Sequence, residues 1–164
     1  MSFGFLVAGF LAATNAGRVA LAREAENPRP GSAALALLAG FGLVAVAVAF
    51  ANDLLDGLSI SPESFRVAAG LVVGAAGIRT LVWPHPASGP FAAILVTPEL
   101  ACLAVSFGAD EGTWRVLAAA AVALPFLIAA VVVPRGPMVL AAQFLAALGL
   151  VVGVALIVSG VRDV

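Results

Sequence analysis

Ala68-Ala69-Gly70-Leu71-Val72-Val73-Gly74-Ala75-Ala76-Gly77-Ile78 and Ala147-Leu148-Gly149-Leu150-Val151-Val152-Gly153-Val154-Ala155-Leu156-Ile157 carry one phrase twice. Ala68, Gly70, Leu71, Val72, Val73, Gly74, Ala76 and Ile78 recur in register 79 residues later. Each copy falls in the third apolar segment of its half of the chain, so the sequence reads as a duplicated three-segment unit. An odd number of crossings turns the second unit upside down relative to the first. Inverted repeats of this kind place a binding site near the bilayer midplane, where the two halves meet. Short strings of Gly, Ala, Val and Leu also resemble one another by chance, and this window is the only place where the halves match clearly.

Composition sets the class. Apolar residues make up 63% and charged residues 10% of the 164 residues, against roughly 45–50% and about 25% in soluble domains. That balance implies an integral membrane protein. A hydrocarbon layer about 30 Å thick needs about 20 mostly apolar residues per helix. Six such stretches can be read, near residues 3–22, 33–51, 64–82, 90–107, 113–133 and 137–161. Their continuous apolar runs lack the alternation of a closed barrel, which leaves helices as the spanning element. The expected fold is therefore an all-α membrane protein. It has a single domain over 1–164, with one repeat near 3–82 and the other near 90–161. The first segment has neither a basic leader nor a small-residue cleavage site followed by a soluble body, and reads as a retained helix.

Arginine alone carries the topology signal, since the chain has no lysine. With six crossings, the loops near 23–32, 83–89 and 134–136 share one face. The termini share the other with the loops near 52–63 and 108–112. Arg18, Arg23, Arg29, Arg79 and Arg135 fall on the first face and Arg66, Arg115 and Arg162 on the second, so the positive-inside rule puts both termini outside. The acids Asp53, Asp56, Glu63, Asp110, Glu111 and Asp163 gather on the outer face, with Glu24 and Glu26 on the inner one.

Glu99 lies near the middle of the fourth segment. A charge at that depth costs roughly 2.5–3.5 kcal/mol even on a lenient insertion scale, so the side chain should face the bundle interior, a partner or water. A carboxyl group that gains and loses a proton there suits proton-coupled exchange; one held neutral or paired with arginine only fixes packing. Pro98 removes a backbone donor and frees a carbonyl one turn earlier. Thr97-Pro98-Glu99 falls at the same place in its segment as Thr14-Asn15-Ala16 in the first, so the pseudo-twofold would bring them together. Asn15 offers a carbonyl oxygen and two amide hydrogens to a substrate or to a neighbouring helix. Arg18, one turn from Asn15, either snorkels to the headgroups or pairs with Glu99. Arg79 also snorkels in this reading, Gln143 contacts a helix or a ligand, and His85 sits in a Pro-flanked loop. The lone Cys102 reads as a small core hydrophobe. Gly70-x-x-x-Gly74 and Gly149-x-x-x-Gly153 permit close helix approach, within the chain or between copies.

No phosphate loop, His-Glu-x-x-His, Gly-x-Ser-x-Gly or paired intramembrane aspartate is present, and one histidine with one cysteine cannot build a metal site. The chain is not expected to be an enzyme, to carry a cofactor or to bind nucleic acid.

Three stretches resemble the MarC family, described as neutral amino-acid transporter-like, within the broader lysine-exporter superfamily. They are Ala12-Ala13-Thr14-Asn15-Ala16, the run from Ile60-Ser61-Pro62-Glu63 through Arg66 and Gly70-Leu71 to Ile78-Arg79-Thr80-Leu81, and Leu95-Val96-Thr97-Pro98. The resemblance implies six helices in two inverted triplets and carries Asn15, Thr97 and Pro98 over as motif positions. The family's Asn-Pro is here Asn15-Ala16, its Gly-Pro-Gly is replaced by Ser106-Phe107-Gly108-Ala109-Asp110, and Glu99 takes an apolar place. The expected function is secondary transport or export of a small polar solute such as a neutral amino acid. Thr14, Asn15, Thr97, Pro98 and Glu99 would line the site, and Glu99 with Arg18 would form the coupling pair. The alternative is a non-transporting membrane subunit that binds a protein partner or forms a homo-oligomer. A dry, fully packed interior would favour that second class.

Overall fold

A computed structural model describes residues 1–15, 17–19, 30–83, 97–132 and 138–163. Every element among them is helical: α1 (Phe3–Thr14), α2 (Pro30–Ala49), α3 (Ala51–Leu58), α4 (Pro62–Val82), α5 (Pro98–Glu111), α6 (Thr113–Val132) and α7 (Met138–Asp163). Helices α4 and α7 are each long and apolar enough to cross a membrane, and α2 with α3 makes a third such span if the 60° bend between them is taken as a break within one span. Arg23, Glu24, Glu26, Arg29, His85 and Arg135 lie outside the described residues, as do most of the loops at 23–32 and 83–89 and all of 134–136.

Caps and tertiary packing together set the helix ends, and they move three of the expected boundaries. The stretch 52–63, read as a loop, holds α3. Ala51 and Leu55 face inward while Asp53 and Asp56 face out, the spacing of an amphipathic turn. Ser59 closes α3 in the left-handed conformation at φ 55°. Ser61 then caps α4, its hydroxyl accepting from the Ser64 amide at 3.2 Å with Pro62 in the first turn. The stretch 108–112, also read as a loop, is mostly the last turn of α5, and only Gly112 at φ 80° separates it from α6. The helix continues because Gly108 fits against the backbone of Val48, where a Cβ would come within 2.9 Å of its Cα. Finally, the first segment does not run unbroken to residue 22, because α1 stops at Thr14.

The two copies of the repeated phrase pack on each other, antiparallel, along α4 and α7. A Cβ on Gly70 would stand 2.5 Å from the Gly153 carbonyl oxygen, and one on Gly153 would stand 2.6 Å from that of Gly70. Gly77 abuts the Ala146 carbonyl in the same way, and Gly160 that of Glu63. These obstacles are backbone atoms, so neither helix can yield to a side chain. The other helices close around this pair in a reciprocal pattern. Helix α1 lies on α6 and α7, whereas α5 lies on α2 and α4.

The core beside the pair is apolar, built on Leu6, Phe10, Leu103, Phe107, Val116 and Leu156. Phe107 meets Phe5 and Phe10 edge-on, with ring centroids 6.0 and 5.7 Å away. The outer surface is apolar too, with Leu38, Leu71, Leu140, Phe144 and Val151 exposed while Asn15, Arg66, Thr80, Thr97 and Ser106 are buried. Exposed Trp83 ends α4 and exposed Trp114 starts α6, at opposite ends of the bundle, as expected of aromatic residues at the two interfaces of a bilayer.

Gly153→Val should lower thermal stability in detergent by at least roughly 1–3 kcal/mol through overpacking against the Gly70 backbone. Gly42→Ala, inside α2 with nothing within 4 Å of the added carbon, should instead raise it by about 0.5–1 kcal/mol through helix propensity. Unfolding followed by circular dichroism measures both. Equal tolerance of the two changes would contradict the close contact.

Candidate functional site

The site forms where α1 breaks. Asn15 adopts φ 38°, ψ 75°, a left-handed conformation that asparagine tolerates better than most residues. Its amide donates to the Leu11 carbonyl at 3.1 Å and ends the helix. Its own carbonyl accepts from the Arg18 amide at 2.8 Å, and its side-chain oxygen accepts from the same amide at 3.2 Å, starting a new helical turn at residues 17–19. The side-chain nitrogen then donates to the Ala142 carbonyl of α7 at 3.2 Å. One buried residue thus closes one helix, opens the next and ties the break to a distant helix. Gly17 allows the approach, since any Cβ there would run into the Ala142 backbone.

Across the break lies the start of α5. Thr97 is its N-cap, with the hydroxyl accepting from the Leu100 amide at 3.3 Å, and Pro98 opens the first turn. Glu99 therefore sits in the first helical turn rather than mid-helix, where the helix dipole favours a carboxylate. The expected stretch before it, residues 90–96, lies outside the described residues. Arg18 reaches to 3.8 Å from Glu99, Nη1 to Oε1, an ion pair too long for a hydrogen bond. The other Glu99 oxygen is buried without a hydrogen-bond partner among the described residues.

Asn15, Arg18, Thr80 and Glu99 converge on one small cavity, whose remaining wall comes from α1, α4 and α7 through residues such as Ala12, Val73, Gly77, Ala146 and Gly149. Its volume is about 10 Å³, room for about one water. The glycines that let α4 and α7 approach each other therefore also shape the cavity.

Of the residues singled out from sequence, Asn15, Arg18 and Glu99 meet here. Thr14 lies elsewhere. Its hydroxyl donates to the Phe10 carbonyl at 2.7 Å, and it borders a second, apolar cavity of about 30 Å³ among Phe10, Phe41, Val44, Leu100 and Leu127. The Thr97 hydroxyl is committed to its cap and Pro98 is exposed, so both shape the helix start rather than the cavity wall. Thr80 enters the sequence reading only within the Ile78-Arg79-Thr80-Leu81 run, because a threonine beside Arg79 near a helix end does not announce a cavity. Its side chain is buried on the cavity wall, donating to the Ala76 carbonyl at 3.0 Å. Arg79 is exposed and Gln143 half-buried.

A second polar cluster occupies one end of the bundle. Arg66 holds Asp110 through two hydrogen bonds of 2.6 and 2.9 Å and also pairs with Asp163, joining α4, α5 and α7. Glu111 pairs with Arg115 and with the amino group of Met1. Sequence reading assigned these residues to one face without pairing them, because partners 44 and 97 residues apart are matched only by helix packing. The chain matches no family model, no curated protein and no solved structure.

Asn15→Ala should destabilise the protein more than Asn15→Gly. Both lose the bond to Ala142, but alanine also bears a left-handed backbone cost of about 1–2 kcal/mol that glycine avoids. Thermal unfolding of the two variants reads this difference; the reverse order would discount the left-handed break.

Proposed function

We propose that the chain is a multi-pass membrane protein that moves a small polar solute, such as a neutral amino acid, by secondary transport. In this reading it is a divergent MarC-like protein of six spans in two inverted triplets. Solute binds at the cavity of Asn15, Arg18, Thr80 and Glu99, and Glu99 couples transport to proton movement. The observation that carries the reading is the convergence of a broken helix, a helix N-terminus and a carboxylate–guanidinium pair on one cavity. Groups freed by helix breaks are the usual ligands in transporters of inverted-repeat build. Two packing features support the repeat itself. The copied glycine phrases meet antiparallel, and α1 packs on α6 as α5 packs on α2.

Proximity of Glu99 to Arg18 gives the pair two uses. A zwitterionic solute can present its ammonium group to the carboxylate and its carboxylate to the guanidinium, replacing a long ion pair with two shorter contacts. Protonation of Glu99 would release the first of these and free Arg18, linking solute affinity to pH. The cavity's small volume supports a second reading, a packed membrane subunit whose broad apolar exterior serves assembly with a protein partner or another copy.

Counterflow in proteoliposomes across a panel of small amino acids separates the two readings, since a subunit gives no flux with any of them. Glu99→Gln should leave a folded, inserted protein that still binds solute but has lost the pH dependence of flux. Retention of wild-type pH dependence in that variant would falsify the coupling role. If Glu99 serves only to hold Arg18, the same change should lower thermal stability, and joint removal of both partners should restore much of it.

Orientation is tested separately. With arginine weighted toward the other face, both termini should react with impermeant reagents added outside intact cells. Protection of both would reverse the assignment.

A further inference from the structure

Ser106 is only 2% exposed, and its hydroxyl has no hydrogen-bond partner among the described residues. An unpaired buried hydroxyl lowers stability, and alanine at the same position would not. Its place on α5 accounts for it. At 3.6 residues per turn, Glu99, Ser106 and Asp110 fall on one stripe of the helix. Asp110 turns that stripe toward α4, where it is held by Arg66, and Glu99 shares its cavity with Val73, Gly77 and Thr80 of α4. Along the rise of α5, Ser106 stands about 10 Å from the level of Glu99 and about 6 Å from that of Asp110. Along α4, buried Ala69 is apolar and lies between Arg66 and the cavity-lining Val73. Ser106 is the polar waypoint of that seam.

We infer that the α4–α5 seam is a proton route to Glu99 from the end of the bundle that carries the termini, with Ser106 as its relay and Arg66–Asp110 as its closure. The inference rests on the transporter reading. Both gaps exceed a hydrogen bond, so water must enter when Arg66 releases Asp110. A hydronium ion at the mouth then gives its proton to the Ser106 oxygen, while the hydroxyl's own proton passes inward through water to Glu99. The net change is one hydronium to water and one carboxylate to its neutral acid, and the reverse returns the proton. Among the described residues, the charged or titratable groups along the route are few. Arg18 and Cys102 lie beside Glu99; α7 faces Glu99 with Ala146 and Gly149 and meets the mouth with Asp163; Arg66 and Asp110 form the closure.

The test uses the full chain in liposomes, with Cys102→Ala removing the native thiol and Ser106→Cys reporting access. An impermeant thiol reagent is added from the side of the termini. Labelling should be slow with the ion pair intact. It should quicken at least about tenfold with Asp110→Asn or Arg66→Gln, as an open state populated at roughly 0.1–10% becomes dominant. Separately, Ser106→Ala should keep or raise the unfolding temperature yet lose most proton uptake read by an internal pH dye, and Ser106→Thr should restore uptake. Labelling that ignores both closure variants, or occurs only from the opposite side, overturns the route. Normal proton uptake in Ser106→Ala overturns the relay, and that arm remains decisive where the closure variants fail to fold. Gated labelling without solute flux in the wild-type protein would sustain the route and remove the transporter reading. Solute flux with an unreactive position 106 would do the opposite.

Discussion

The backbone contact between α4 and α7 is the constraint on which the rest of the structure depends. Two helices in a hydrocarbon setting gain nothing from leaving water, so their association rests on dispersion and close backbone approach. Gly70, Gly77, Gly153 and Gly160 remove the side chains that would hold the axes apart, and each stands against a carbonyl of the opposing helix. The approach fixes register as well as distance. With that register set, Arg66 at the start of α4 meets Asp163 at the end of α7, and Val73, Gly77, Ala146 and Gly149 face a common cavity.

Polar groups are distributed around this pair as though the solvent were apolar. Asn15, Arg66, Thr80, Thr97 and Ser106 are buried, while Leu, Val and Phe side chains cover the outside. The buried groups differ in how completely they are satisfied. Arg66 is matched by a bidentate carboxylate and a second acid, the geometry that best offsets the desolvation of an ion pair. Arg18 and Glu99 are held at a longer distance, with one carboxylate oxygen left without a partner. A tight pair at one end and a loose pair in the interior have different consequences. The first keeps its end of the bundle shut for as long as it is made, and the second leaves one Glu99 oxygen without a hydrogen bond among the described residues.

Asn15 shows how one side chain can turn the end of an apolar helix into a polar site. A continuous helix from residue 3 would have spent every backbone group internally. The left-handed turn at Asn15 interrupts the helix, and the same side chain bonds to the Arg18 amide and the Ala142 carbonyl. Gly17 then lets the next turn lie against α7, and Arg18 is delivered to the start of α5. The asparagine makes the break by its own hydrogen bonds, backbone and side chain together.

Sequence alone determined the helical class, since long apolar runs without alternation admit no other way to satisfy the backbone. It also marked the glycine phrases as contact surfaces and drew attention to Asn15, Arg18 and Glu99, because polar atoms within apolar runs need partners. It misplaced helix ends wherever the decision lay in packing. The amphipathic turn at 51–58 and the extension of α5 to Glu111 both depend on surfaces contributed by other helices. Only the tertiary structure decided which polar residues share a cavity. Thr14 and Asn15 are neighbours in sequence yet face different cavities, whereas Thr80 joins Glu99 from a separate helix. The reason is physical: periodicity fixes which face of a helix is polar, but the rotation and register of one helix against another come from interlocking backbones and side chains distant in the chain.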